Sequence, residues 1–116
     1  MSHIVVLGAG LGGLIMAYEM KAKLRREDRL TVINLGSSYS FVPSNPWVAV
    51  GWRQPADITV DFAPVLKQQG IELRPEGAKR VHPQENRVEL NDSSSVDYDY
   101  LIIATGPDLA FDEIPG

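Results

Sequence analysis

The chain has 116 residues, of which 44% are hydrophobic and 22% charged, and its formal net charge is −4. These values are typical of one soluble globular domain or part of one, and the negative charge argues against a nucleic-acid partner. No cysteine is present, which excludes disulfides, thiolate metal sites and a cysteine nucleophile within these residues, and two histidines predict no metal site. The apolar run Ile4–Leu7 is too short for a signal peptide or a membrane span.

The first third of the chain has the pattern of a strand, a turn, a helix and a second strand. The β-branched run His3–Leu7 is typical of a parallel strand buried on both faces. Gly8–Gly13 is a glycine-rich turn, a helix is predicted from Leu11 to about Leu24, and Arg29–Leu35 is the second predicted strand. The predicted apolar face of the helix consists of Leu11, Leu14, Ile15, Tyr18 and Ala22. Together these elements form a β-α-β unit of ordinary length.

The middle of the chain is predicted to be a long loop followed by a short helix. Gly36–Val60 carries several prolines and reads as irregular, with room for a helical turn near Trp47–Val50. A loop of that length usually contacts a ligand or has another function. Asp61 is the predicted N-cap of a helix that runs to about Gln69, and Gly70 is predicted to end it.

The last third is predicted to contain only strands. Ile71–Arg74 continues the parallel sheet, and Tyr100–Ala104 returns to it as a buried strand. Between them lie three short antiparallel strands, predicted at Ala78–His82, Arg87–Leu90 and Ser95–Asp99. The predicted fold is therefore α/β: a Rossmann-like half-domain with a parallel sheet and a small three-stranded antiparallel excursion.

The glycine spacing Gly8-x-Gly10-x-x-Gly13 lies between the first predicted strand and helix. Gly8 permits a tight turn, Gly10 lets the backbone approach a diphosphate, and Gly13 lets the helix pack close to the strand. The free N–H groups at the helix start favour phosphate binding. The pattern predicts dinucleotide binding in this context, and the alternative is a glycine turn that serves only helix packing.

The second strand ends without the acidic residue that usually holds a nucleotide ribose. About 20 positions after the glycines, that place is taken by Asn34, which has no charge. This weakens the case for NAD, and no arginine follows directly to favour NADP. Asn34 could also be only a strand-end turn residue.

Two segments resemble known flavoproteins. The run Tyr98–Gly106 (YDYLIIATG) resembles the ATG motif of flavoproteins with two dinucleotide-binding domains. Phe41–Trp47 (FVPSNPW), followed by Gly51-Trp52, is similar to the sulfide:quinone oxidoreductase family, as are His3–Gly13 and Tyr98–Pro107. The resemblance covers nearly the whole chain but only the first part of the family's polypeptide. We therefore expect residues 1–116 to be the N-terminal part of the FAD-binding domain of a longer enzyme.

The resemblance implies a set of FAD-binding residues. The diphosphate would be held by Gly8, Ala9, Gly10, Leu11, Gly12 and Gly13, and the adenosine ribose by Asn34 and Leu35. The flavin ring would be approached by Pro43, Ser44 and Asn45, and the adenine would be contacted by Gly77 and Ala78. Thr105 and Gly106 would form the turn that closes the site. An alternative for the proline-rich segment is that Pro43, Pro46 and Trp47 only pack a surface loop. Trp47 and Trp52 are expected to be core anchors, and His3 and His82 to have structural roles without an acidic partner.

The implied activity is oxidation of sulfide, with electrons passing through FAD to a quinone in a peripheral membrane enzyme. The cysteines and the quinone pocket of that family would lie outside these residues, so no catalytic residue is expected here. The fragment alone is expected to be soluble, to bind FAD weakly or not at all, and to associate with itself through uncovered faces. Alternatives are a type II NADH:quinone oxidoreductase, a flavocytochrome c sulfide dehydrogenase flavoprotein, or a non-catalytic nucleotide-sensing module.

Overall fold

The computed structural model describes residues 1–116 as a parallel sheet with helices on one face and an antiparallel sheet on the other. In chain order the strands and α-helices are β1 (His3–Leu7), α1 (Leu11–Lys23), β2 (Arg29–Ile33), β3 (Ser38–Ser40), α2 (Asn45–Ala49), β4 (Thr59–Asp61), α3 (Ala63–Gln68), β5 (Glu72–Arg74), β6 (Ala78–His82), β7 (Arg87–Leu90), β8 (Ser95–Asp97) and β9 (Tyr100–Ile103). The four parallel strands have the order β5-β2-β1-β9, and the antiparallel sheet has the order β6-β7-β8. The predicted fold class is confirmed. None of the helices has the length and hydrophobicity needed to cross a membrane.

Strand β1 lies at the centre of the core, because both of its faces are covered. Ile4 and Val6 face the helices, while Val5 and Leu7 face the antiparallel sheet. The helix-side cluster also contains Ala9, Ala17, Leu30, Val32, Phe62, Leu66 and Ile71, and the other cluster contains Ile33, Val88, Leu90 and Val96. Burial on both faces explains why the apolar residues of β1 do not alternate with polar ones.

Helix α1 packs with a different face from the predicted one. Leu11 and Ile15 are more than half exposed, whereas Gly13 and Ala17 are buried against the sheet. The partly buried side chains beside them are Leu14, Met20 and Leu24. The predicted apolar face was therefore wrong at Leu11, Ile15, Tyr18 and Ala22, all of which are exposed. Small residues form the buried face because the helix start lies very close to the end of β1.

The short helix α3 ends as predicted and begins one residue later than predicted. Gly70 has a φ of +68°. The N–H of Gly70 donates to Lys67 O, and the N–H of Ile71 donates to Leu66 O, which is the Schellman arrangement. Asp61 is not the N-cap, because it ends β4 and Phe62 is the cap residue. The carboxylate of Asp61 still accepts a hydrogen bond from the N–H of Ala63, at 3.0 Å.

The segment Gly36–Val60 is more regular than the sequence indicates. Strands β3 and β4 pair antiparallel across it, and α2 lies between them. Two 3₁₀ turns flank α2, at Val42–Ser44 and Pro55–Ile58. The prediction of a long irregular loop was therefore wrong, although a helical turn near Trp47 is confirmed.

The last strand, β9, is an edge strand and is only partly buried. It pairs with β1 on one side and has no partner on the other. Tyr100 is 64% exposed and Ile103 is 65% exposed. The prediction of a buried strand was wrong for these two side chains, because nothing in this chain covers them.

A polar network links β1, β2 and β5 at their amino-terminal ends. Arg29 forms an ion pair with Glu72, with Nη2 at 2.9 Å from each carboxylate oxygen and Nε at 3.1 Å from Oε1. Thr31 Oγ1 donates to Glu72 Oε2 at 3.0 Å and accepts from His3 Nε2 at 2.8 Å. Burial, and then the charge of Arg29, lower the pKa of His3 below 6.5. Burial raises the pKa of Glu72, but hydrogen bonds from Arg29 and Thr31 outweigh it and leave this pKa below 4.5.

We expect the lowered pKa of His3 to make the fold lose stability in mild acid. Below pH 6.5 the unfolded chain takes up a proton at His3 more readily than the folded chain does, so the free energy of unfolding falls until the pH reaches the folded pKa. Glu72 contributes no slope in this window, because its stabilising effect is lost only below pH 4.5. Urea unfolding between about pH 8 and pH 5 measures the effect. The His3→Gln variant should show a flatter profile, and an unchanged slope would contradict the assignment.

Candidate functional site

A cleft opens at the carboxyl ends of β1, β2 and β9, next to the start of β6. Its volume is about 390 Å³. The residues that line it are Leu7, Gly8, Ile33, Asn34, Leu35, Ala78, Lys79, Arg80, Val81 and Thr105. In parallel α/β sheets this edge is where ligands bind. The cleft brings together five of the residues predicted from the sequence, namely Gly8, Asn34, Leu35, Ala78 and Thr105.

Two glycines of the turn are required by close backbone contacts. Gly8 has a φ of +99°, and a Cβ there would lie 2.3 Å from Ala104 O. A Cβ on Gly13 would lie 1.9 Å from Gly8 O. Gly13 therefore allows the helix to pack close to the strand, as predicted. Gly8 has a further role, because it lets the chain after β9 pass directly over the turn.

Gly10 differs from these two, because nothing in the protein lies near its missing side chain. No atom comes within 4 Å of a Cβ placed on Gly10. The helix begins there without a capping side chain and without an acidic residue in its first turn. The backbone N–H groups of Leu11, Gly12 and Gly13 have no acceptor in the protein. This corner therefore offers free donors and a positive helix end to an anion.

Asn34 joins the end of β2 to the glycine turn. Its Oδ1 accepts a hydrogen bond from the N–H of Ala9 at 3.0 Å. Its Nδ2 donates to Leu35 O at 3.3 Å and to Gly36 O at 3.2 Å. The side chain therefore has a structural role as well as a place in the cleft wall, and its contact with a ribose stays a prediction.

We expect Asn34→Ala to lower the free energy of unfolding by about 1–2 kcal/mol, since it leaves the N–H of Ala9 without a partner in a partly buried position. Asn34→Asp should retain more stability, because one carboxylate oxygen can still accept from Ala9. The other oxygen would face the carbonyls of Leu35 and Gly36. Urea unfolding of both variants measures the difference, and equal stability of Asn34→Ala and the wild type would contradict this role.

The predicted adenine position lies beside the end of β2. Leu35 forms an isolated β-bridge with Glu76, just before Gly77. Gly77 has a φ of +77°, and a Cβ there would lie 3.0 Å from Leu35 Cδ1. Its carbonyl already accepts from the N–H of Asn91. Ala78 lines the cleft and Gly77 does not, so Ala78 has the more direct access to a ligand.

The other predicted contacts lie outside this cleft wall. Pro43 and Asn45 are exposed, and Ser44 is buried with its Oγ 3.5 Å from an Arg53 nitrogen. Gly106 follows the cleft residue Thr105 and is exposed. The contact of these residues with the flavin therefore stays a prediction.

The tryptophans and one histidine differ from expectation. Trp47 is 40% exposed and lies under the Arg53 guanidinium, whose carbon is 4.4 Å from the ring centroid. Trp52 is 77% exposed, so neither tryptophan is a core anchor. His82 does have an acidic neighbour, because its Nε2 lies 3.2 Å from a Glu89 carboxylate oxygen. That carboxylate also pairs with Lys79, so the contact belongs to a surface ion-pair cluster.

Half of the residues that line the cleft were not predicted from the sequence, namely Leu7, Ile33, Lys79, Arg80 and Val81. The positions of Leu7 and Ile33 were available from the sequence, since the last residues of parallel strands face this edge. No local sequence pattern indicates that Lys79 and Arg80 line the cleft, because their position there depends on how β6 lies relative to the end of β2.

The parallel sheet, the glycine turn and the cleft together define the class of this protein, which is a Rossmann-like α/β domain of the kind found in FAD-binding oxidoreductases. Residues 2–116 match the Pyridine nucleotide-disulphide oxidoreductase family. The chain belongs to this family.

Among its relatives is the sulfide-quinone reductase of Aquifex aeolicus (strain VF5), which is 39% identical over 109 residues and covers 94% of this chain. The mitochondrial sulfide:quinone oxidoreductase of Dictyostelium discoideum is 27% identical over 120 residues, covering 99% of the chain. The X-ray structure of the Aquifex aeolicus sulfide:quinone oxidoreductase superposes with a TM-score of 0.89 and 38% identity over 96% of this chain and 26% of that one. The chain spans 25% of the length of each of the two sequence relatives.

Proposed function

We propose that this chain forms the nucleotide-holding part of the FAD site in a sulfide:quinone oxidoreductase. The observation that carries the proposal is the cleft at the carboxyl ends of the parallel strands, where Gly8, Asn34, Ala78 and Thr105 meet beside an uncapped helix start. The similarity to sulfide-quinone reductases extends over nearly the whole chain and supports the choice of family member.

The residues present fit the adenosine diphosphate half of FAD. Open space at Gly10 allows a diphosphate to approach the free N–H groups of the first turn of α1. The cleft wall contains no carboxylate that would repel phosphate. Ala78 would contact the adenine through its backbone, and Asn34 and Leu35 would lie beside the ribose. When bound, FAD supplies the two-electron redox chemistry.

The residues of this chain would bind and orient the cofactor and would take no chemical part in the reaction. Gly12 and Gly13 would complete the diphosphate site at the start of α1. Gly77 and Gly106 would form turns that border the nucleotide. Pro43, Ser44 and Asn45 would form one wall beside the flavin ring, since the prolines and the 3₁₀ turn stiffen that segment. The longer enzyme would take electrons from sulfide and pass them to a quinone as a peripheral membrane protein.

Nuclear magnetic resonance of the ¹⁵N-labelled chain tests cofactor binding, because it detects weak complexes. Titration with FAD should shift the amide signals of Gly8, Gly10 and Ala78, and FAD should bind more tightly than NAD. Preference for NAD would favour a nucleotide-sensing module, and shifts confined to other residues would contradict the proposed site.

The sulfide activity is tested with a hybrid in which this chain replaces the corresponding quarter of the Aquifex aeolicus sulfide-quinone reductase. The hybrid should bind FAD and reduce a quinone with sulfide as the electron donor. A folded hybrid that lacks flavin would contradict the proposal. A flavin-bound hybrid that accepts electrons from NADH but not from sulfide would assign the chain to an NADH:quinone oxidoreductase instead.

We also propose that the chain on its own associates through the free edge of β9. A groove of about 450 Å³ lies beside this edge and is lined largely by apolar residues, including Met20, Leu24 and Leu101. Unpaired edges next to apolar surface recruit further strands. Light scattering should show a molecular mass that rises with protein concentration. The Ile103→Lys variant should have the mass of a monomer at every concentration. A monomeric wild type at all concentrations would contradict this proposal.

A further inference from the structure

We infer that Arg80 is a specificity-determining residue that holds the adenine end of the ligand by placing its guanidinium against the base. The inference rests on the proposed function, since it takes the ligand to be an adenine nucleotide. Arg80 lines the cleft and is exposed, and its side chain makes no hydrogen bond or ion pair within the protein.

The arginine is unusual among the lysines and arginines of strands β5, β6 and β7, because the others all have acidic partners. Lys79 pairs with Glu89 at 3.0 Å. Arg74 pairs with Glu76 at 3.3 Å, and Arg87 on β7 pairs with Glu85. A lone cation in such a network is free to interact with a ligand.

A β-bulge explains why Arg80 has no partner. The register between β6 and β7 shifts between Ala78 and Arg80, so Lys79 is an extra residue and Arg80 lies opposite Glu89. The carboxylate of Glu89 is already occupied by Lys79 at 3.0 Å and by His82 at 3.2 Å. Arg80 therefore lies opposite a carboxylate that Lys79 and His82 already share, and its guanidinium is left without an acidic partner. Bulges beside binding sites often serve to redirect a side chain in this way.

The position of Arg80 points to the base and not to the diphosphate. It lies two residues after Ala78, the proposed adenine contact, and no residue of the uncapped start of α1 lines the cleft with it. The cleft wall contains no aspartate or glutamate that could compete for the guanidinium. A planar guanidinium stacks well on an aromatic ring, and the contact combines dispersion with cation–π attraction.

The test is an amide-shift titration of the full chain and of Arg80→Gln with ADP and, separately, with inorganic pyrophosphate. Arg87→Gln is the matched control, because it removes the same group from the same small sheet outside the cleft. We expect Arg80→Gln to raise the Kd for ADP about threefold to tenfold and to leave the Kd for pyrophosphate unchanged. Arg87→Gln should leave both unchanged.

Each other outcome overturns the inference in a distinguishable way. An unchanged Kd for ADP in Arg80→Gln would show that Arg80 does not contact the nucleotide, while leaving the proposed function intact. An equal loss for ADP and pyrophosphate would place Arg80 on the phosphates. A wild-type chain that shows no shifts at Gly8 or Gly10 with either ligand would contradict the proposed function itself.

Discussion

Gly13→Ala should unfold or nearly unfold the domain, with a loss of about 3 kcal/mol or more in the free energy of unfolding. Its new methyl group would lie 1.9 Å from the carbonyl oxygen of Gly8. To relieve this clash, α1 would have to move away from β1, and that movement would open the tightly packed contact around Ala17. Urea unfolding followed by circular dichroism measures the loss.

The matched control for this variant is Gly12→Ala, one position earlier in the same helix turn. No protein atom lies within 4 Å of a Cβ at Gly12, and the residue is exposed. Alanine favours helix over glycine, so this variant should be as stable as the wild type or up to about 1 kcal/mol more stable. Similar losses in both variants would show that backbone freedom, and not the contact with Gly8, makes Gly13 necessary.

The Gly10→Val variant should retain the fold and bind the nucleotide much more weakly. The backbone at Gly10 is extended, with a φ of −74° and a ψ of −167°, and there is open space for a larger side chain. The loss of stability should be at most about 1 kcal/mol, as expected for a poorer N-cap. A side chain at this position would occupy the space through which a diphosphate reaches the helix start. We expect the Kd for ADP to rise between about tenfold and a hundredfold.

Ala22→Val is the control for Gly10→Val, because it adds a β-branched side chain to an exposed position near the other end of α1. It should bind ADP with the Kd of the wild type in the same amide-shift titration. Undiminished ADP binding by Gly10→Val would contradict the placement of the diphosphate at the glycine turn.

The elements predicted correctly are those whose signal is local. The β-branched run of β1, the spacing of Gly8–Gly13 and the helix end at Gly70 each depend on a few neighbouring residues, and all are confirmed. Short hairpins such as β6-β7-β8 also carry their turn signals within the sequence. For the cleft, the same local patterns led to Gly8 and Asn34, whereas Ala78 was implied by the resemblance to flavoproteins.

The elements predicted wrongly depend on contacts between distant residues. The buried face of α1 is decided by the contact between Gly13 and Gly8, which hydrophobic periodicity does not describe. Strands β3 and β4 are three residues each, and they are recognisable only once paired. The free guanidinium of Arg80 results from a bulge and from the partners of Glu89, so no pattern in β6 alone reveals it.

The passage of Ala104 over Gly8 has a consequence for biosynthesis. The two residues lie 96 positions apart, yet a Cβ on Gly8 would meet Ala104 O at 2.3 Å, and the N–H of Ala104 donates to Leu7 O. The glycine turn is thus completed by β9, which is synthesised long after β1. A nascent chain arrested before β9 would lack the far wall of the cleft, so a ligand of this cleft could bind only after that strand has emerged and joined the sheet.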